Sequence, residues 1–312
     1  MIFEPLSDSL EKALQILHQG ELIGLPTETV YGVAADATNE LAVAKIFELK
    51  NRPTFNPLII HGPTRTCFEE HVLWNEKADV LAKTFWPGPL TLVLPRLVSS
   101  PLSLLASAGL DSLAIRVPNH PLALTLLQKF GKLLAAPSAN PSGKTSPTQA
   151  SHVEEDFPNL FILDGGDTTV GLESTIVDLT SPSPRLLRPG GISQEEVESV
   201  VGPLKFPHQN SIKAPGMMKS HYAPTLPLHL NVQEPSEGEA FLAFGPTPYK
   251  GSSVLNLSEE GNLTEAAANL FKMIRLLDRP PFQKISVAPI PLNGLGLALN
   301  DRLQRAAATR EL

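Results

Sequence analysis

Four polar clusters carry the residue types from which this sequence could build a reaction site, and each adjoins a short apolar run. PTETVYG at 26–32 is rich in hydroxyls, and KNRPTFNPLIIH at 50–61 sets Lys50 and Arg52 beside Asn56 and His61. PSANPSGKTSPT at 137–148 is full of hydroxyls and prolines, and GLESTIVDL at 171–179 is followed by RLLRPGGIS at 185–193. Taken singly, each has a plain structural reading. Ser, Asn, Pro and Gly clusters form turns, Lys50 and Arg52 would stabilise the negative end of a helix, and a histidine at a strand end is commonly a satisfied, partly buried side chain. Arg116 inside LAIRVP differs, because a charge within an apolar strand is costly unless it is paired or faces a cavity. Taken together, the clusters imply a polar cavity with several fixed cations. Arginine suits such a site because its planar fork donates two parallel hydrogen bonds to a carboxylate or phosphate.

Other chemistries lack their residues. The sequence has no GxxxxGK[ST] loop, no GxGxxG fingerprint in a strand–loop–helix setting and no HExxH pair. Its single cysteine, Cys67, excludes an internal disulfide and a multi-cysteine metal site, so no protein-held metal is expected. The net charge of −7, acidic mainly in the second half, offers no basic domain for nonspecific nucleic-acid binding. No run of about 18 apolar residues appears, and MIFEPLSDSLEKAL lacks a basic-then-apolar leader. A cytoplasmic protein without membrane contact is expected.

The elements that must position the clusters can be read from periodicity. Ser7 or Asp8 can cap a first helix whose apolar face is Leu10, Ala13, Leu14 and Leu17, ended by Gly20. Strands are expected at 22–26, 57–61, 91–95, 113–118, 133–137, 160–164, 174–179 and 185–189, with helices at 40–50, 76–85, 121–130 and 194–201 between several of them. This alternation predicts an α/β domain whose sheet is covered on both faces, with polar loops at strand ends where such sheets place ligands. The 30 prolines in 312 residues, about twice the usual share, predict rigid connections. Residues 204–227 lose all periodicity and read as a long proline-rich linker carrying PGMMKSHYAP. The organisation predicted is therefore a domain at 1–203, a linker at 204–227 and a small α/β domain at 228–312, with strands near 226–232, 240–244, 253–257 and 285–290 and helices at 263–277 and 298–308.

PTETVYGVAADA, KNRP…NPLIIH, WPGPLTLVL, LAIRVPNH, APSANPSGKTSPT and GLESTIVD, in this order, resemble the blocks of YrdC-type threonylcarbamoyl-AMP synthases. PGMMKSHYAP and GLGLALNDRLQRAA resemble the longer, two-domain form of that family. The resemblance implies a twisted mixed sheet of the YrdC type with helices on its faces, plus a smaller Rossmann-like α/β C-terminal domain. It implies ATP-dependent synthesis of L-threonylcarbamoyl-AMP from L-threonine and bicarbonate or CO2, with pyrophosphate released. Threonine would sit among Thr29, His61, Arg116, Ala136 and Ser174. ATP, bringing Mg2+ on its phosphates, would be held by Arg52, Asn56, Ser112, Ser138, Ser146, Arg188 and Tyr222. Lys50 and Arg52 would be the catalytic cations, and the linker would close over the site.

The implied mechanism is capture of CO2 or bicarbonate by threonine's amine, then attack of the carbamate oxygen on the α-phosphorus. Both steps mainly need proximity and charge stabilisation, which suits cations and hydroxyls without a catalytic carboxylate pair. The adenylate would pass to proteins that transfer the threonylcarbamoyl group to tRNA next to the anticodon. A weak contact with RNA remains open, as do two rivals: an RNA-binding module without chemistry, and a carbamoyl-transferring enzyme with another acceptor or donor.

Overall fold

The structure is a computed structural model that describes residues 1–4, 7–206 and 213–308, so residues 207–212 of the expected linker lie outside the described residues. The chain runs β1 (Ile2–Phe3), α1 (Ser7–His18), β2 (Ile23–Leu25), β3 (Gly32–Asp36), α2 (Glu40–Lys50), β4 (Ile59–His61), α3 (Glu76–Phe85), β5 (Leu90–Pro95) and β6 (Ser112–Arg116). It continues through α4 (Pro121–Phe130), β7 (Leu134–Ala135), α5 (Ala150–Asp156), β8 (Phe161–Leu163), β9 (Thr175–Asp178), β10 (Arg185–Arg188) and α6 (Gln194–Val201). These ten strands form one mixed sheet in the order β1-β8-β2-β3-β7-β4-β6-β5-β9-β10.

A second sheet follows the 204–227 segment. β11 (Leu228–Leu230), β12 (Ala240–Ala243), β13 (Val254–Asn256) and β14 (Ile285–Val287) pair in the order β11-β14-β12-β13. All three of its ladders are parallel, as in a doubly wound sheet. α7 (Leu263–Leu277) and α8 (Gly296–Ala307) accompany it. The fold is thus the mixed-sheet α/β class with a smaller parallel α/β unit, as the sequence predicts. Among the described residues no helix is long and apolar enough to cross a membrane.

Local chemistry explains the boundaries near the site. Asn39 caps α2 by accepting from the backbone N–H groups of Leu41 and Ala42. Asn51, at φ 50°, turns the chain out of the helix in the left-handed conformation that asparagine tolerates. α6 starts with a reciprocal capping box between Ser193 and Glu196. α1 departs from expectation: it begins at Ser7 itself, so neither Ser7 nor Asp8 stands ahead of it as a cap. Ser7 Oγ bonds the Asp8 carboxylate, and Asp8 complements the helix dipole from the first turn.

The two units share an apolar cluster. Val30 and Leu172 from the first pack with Tyr222 among the buried residues of α7, α8 and the second sheet. Gly171 marks how closely the backbones meet: at φ +73°, a Cβ there would lie 2.4 Å from Ala267 O and 2.5 Å from Ala268 Cα. Gly171→Ala combines left-handed strain with a backbone clash and should cost about 2–4 kcal/mol. Urea unfolding checks this, and an unchanged midpoint would show that the approach of α7 to this loop yields freely.

Candidate active site

The β2–β3 hairpin, the ends of β4, β6 and β10, the loop after β7 and residues 215–222 converge on one cleft lined by charged, hydroxyl and apolar side chains. Parallel register sets His61 beside Arg116 at the ends of β4 and β6. In the hairpin loop, Thr27 Oγ donates to Val30 O at 2.7 Å and shares a 2.8 Å hydrogen bond with the Thr29 hydroxyl. That turn presents Thr29 Oγ to Arg116, which donates to it at 2.9 Å. Arg116 also donates to Gly88 O and sits 2.7 Å from a Glu28 carboxylate oxygen, with both side chains buried.

Arg52 and Arg188 are held differently, by backbone carbonyls. Arg52 donates to Asn56 O at 3.0 Å and Pro57 O at 2.8 Å. Arg188 donates to Ser174 O at 2.9 Å, to Ser174 Oγ at 3.1 Å and, across the linker, to Pro215 O at 3.3 Å. Burial lowers both pKa values, yet a guanidinium starts so high that both stay charged at neutral pH. Lys50 is 1% exposed and donates to the carbonyls of Ser138 and Asn140. Burial, then repulsion from Arg52, pulls its pKa well below the usual lysine range.

His61 Nδ1 lies 3.2 Å from Ile59 O, an acceptor, so Nδ1 carries the proton and Nε2 a free lone pair. Burial, reinforced by Arg116, pushes the ring down to about 3 and keeps it neutral. Glu173 also lines the cleft, but both its oxygens are committed: Ser146 Oγ donates to one at 2.5 Å and Arg302 Nε to the other at 2.8 Å. Against burial, which alone would raise it, Arg302 and Arg188 hold this carboxyl at about 2. Tyr222 is fully buried at φ 65°, a conformation that a bulky residue keeps only when its surroundings enforce it.

The profile described as "Telomere recombination" (Sua5_yciO_yrdC) matches residues 15–190, and "Threonylcarbamoyl-AMP synthase, C-terminal domain" matches 192–308. A Pyrococcus abyssi threonylcarbamoyl-AMP synthase is 42% identical over 96% of this chain and 94% of its own length. A Bacillus subtilis protein of the same name is 41% identical over 96% and 93%. The crystal structure of P. abyssi Sua5 complexed with L-threonine superposes with a TM-score of 0.91 at 39% identity, covering 98% of this chain and 97% of that one. The chain belongs to the Sua5/YciO/YrdC family.

Within this family fold, Thr29, Arg52, His61, Arg116, Ala136, Ser138, Ser174, Arg188 and Tyr222 all line the cleft. Asn56 and Ser146 are not among the lining residues: the Asn56 amide contacts Met218 Sδ at 3.6 Å, and Ser146 reaches the site through Glu173. Lys50 is not among the lining residues; it ties down the 138–140 loop from behind. Ser112 starts the strand that Arg116 ends, about 13 Å away along β6, and does not line the cleft.

Sequence reasoning passes over Glu28, Thr91, Glu173 and Arg302. Glu28 and Glu173 stand inside PTETVYG and GLESTIVDL, where the carboxylate in a hydroxyl-rich cluster is the signal. Thr91, whose hydroxyl lies 2.7 Å from Ser174 Oγ, reads as an ordinary strand residue.

The buried neutral His61 predicts a pH effect with a definite sign. Its folded pKa lies below the unfolded value of about 6.5, so the unfolded chain binds the extra proton and stability falls as pH drops from there toward 3. Between pH 7 and 5 this one group should remove about 2 kcal/mol. Denaturant titrations at the two pH values should show that difference shrinking by this amount in His61→Gln, and an unchanged difference would mean the ring titrates normally.

Proposed function

We infer that this chain joins L-threonine, bicarbonate or CO2 and ATP into L-threonylcarbamoyl-AMP, releasing pyrophosphate. The observation that carries this reading is a single buried cleft with two kinds of cation. Arg116 stands beside the Thr29 hydroxyl and the neutral His61, while Arg52 and Arg188 line the same cleft on carbonyl supports. The first corner suits an amino acid: Arg116 pairs with its carboxylate, Ser174 and the backbone near Ala136 adjoin it, and His61 Nε2 accepts from the threonine hydroxyl. The second suits a triphosphate, gripped by Arg52 and Arg188 with Asn56, Ser138 and Ser146 around it and Tyr222 over the nucleotide. Ser112, at the far end of β6, belongs to this set only if the nucleotide extends that far.

No group in the cleft is poised as a strong acid or base, and the proposed reaction does not ask for one. Threonine's amine captures CO2, and a carbamate oxygen attacks the α-phosphorus as pyrophosphate departs. Fixed cations stabilise the charge on the departing phosphates, and holding both substrates in one cavity supplies the proximity. Lys50 adds to the positive field and fixes the loop that carries Ser138. Mg2+ arrives on the triphosphate, whose oxygens are the hard ligands this cation prefers. Residues 215–222 close over the site and exclude water from a hydrolysable adenylate. The product passes, in the cytoplasm, to proteins that modify the tRNA adenosine beside the anticodon.

Pyrophosphate release should require all three substrates, tested by omitting threonine, bicarbonate and ATP in turn. Arg116→Ala should raise the threonine KM by the equivalent of about 2–5 kcal/mol and leave the ATP KM nearly unchanged. Arg52→Ala and Arg188→Ala should each abolish turnover in a folded protein. Equal effects of Arg116→Ala on both substrates would place Arg116 at the nucleotide instead.

A further inference from the structure

α8 belongs to the second unit, yet it reaches the wall of the cleft. Arg302 is 1% exposed and donates from Nε to Glu173, whose other oxygen accepts from Ser146. Its guanidinium carbon stands 5.0 Å from the centre of the Tyr222 ring, and NH1 pairs with Asp301 at 2.6 Å. One turn on, Arg305 donates to Met218 O at 2.6 Å and its own carbonyl accepts from His221 N at 3.1 Å. A single helix therefore grips the linker at Met218 and His221 and, through Arg302, both Tyr222 and Glu173.

An apolar side chain would fill this position without the desolvation that a buried guanidinium incurs, so packing alone does not call for an arginine. What the charge adds is a link between parts of the chain that share no ladder. Glu173 and Ser146 belong to the first unit, Tyr222 to the linker and Arg302 to the second. Remove Arg302 and Glu173 keeps a buried charge beside Arg188, free to pair with it and draw it off the phosphates.

We propose that Arg302 is a positioning residue of the synthase: it keeps Glu173 away from Arg188 and seats Tyr222, so that the second unit holds the nucleotide half of the cleft in shape. This rests on the synthase reading above, and it gives the second unit a role beyond carrying the linker.

The test compares Arg302→Met and Arg302→Lys with Asn300→Ala. Asn300 donates to Ile290 O and Gly296 O, so its loss loosens the same helix without touching the linker. Arg302→Met should raise the ATP KM at least tenfold and the threonine KM less than threefold, with Arg302→Lys in between. Without substrates, tryptic cleavage after the exposed Lys219 should accelerate at least tenfold in Arg302→Met. Asn300→Ala, compared at matched distance below its own melting temperature, should change neither readout. Wild-type ATP KM and cleavage in Arg302→Met would overturn the proposal, as would equal acceleration in Asn300→Ala. If the wild type made no pyrophosphate from the three substrates, the synthase reading would fall, while the cleavage comparison would still decide whether Arg302 seats the linker.

Discussion

The molecule is organised around a concentration of buried positive charge that it does not neutralise. Arg52, Arg116 and Arg188 line one cleft, and like charges repel strongly where water is scarce. Among the described residues, Arg116 alone of the three pairs directly with a carboxylate, that of Glu28. Arg52 and Arg188 are held by carbonyls at strand ends and in the linker, whose dipoles orient a guanidinium without cancelling its charge. Glu173, the one carboxylate lining the cleft, is drawn away by Arg302. A field of this kind needs a rigid frame, and the parallel pairing of β4 with β6 and the closure of β9 onto β10 supply it. The cleft is left as an electrostatic mould for a polyanion next to a carboxylate.

Much of this was legible from residue type alone. A charge inside LAIRVP is anomalous in an apolar strand, and Arg116 does end its strand at the cleft; Arg188, at the end of RLLR, was reached through the family resemblance. The bounds of Glu40–Lys50, Pro121–Phe130 and Gln194–Val201 were readable to the residue: Asn39 and Ser193 cap the first and third, and Pro121 and Gly131 bracket the second. Elements without such signals were not. GVAAD forms the fully buried strand β3 though it has one β-branched residue and a terminal aspartate, because its neighbours β2 and β7 supply the pairing that its propensity does not. β1 has two residues and α5 seven, too short for a period to show.

Long-range pairing was the other blind spot. Glu173 and Arg302 are 129 positions apart, and no local pattern announces that the two meet. Ser112 stands at the opposite end of β6 from Arg116, and sequence alone does not say which end of a strand faces the cleft.

The second unit then follows from what the first cannot do for itself. An open mould of cations would be solvated, and water would both screen its field and attack a mixed carbamic–phosphoric product. Sealing it requires chain over the opening, and a segment as irregular as 213–222 has no apolar periodicity with which to hold itself down. The segment is instead held from below, where Tyr222 joins Val30 and Leu172 in the apolar cluster of the second sheet. Burial of that ring supplies a nondirectional force, and the contacts from Arg302 and Arg305 supply direction. His221 and His61, both held neutral by burial, let the closed cleft stay free of groups that change charge near neutral pH. Closure and chemistry therefore call for the same thing, a dry cavity in which the only mobile charges are those the substrates bring.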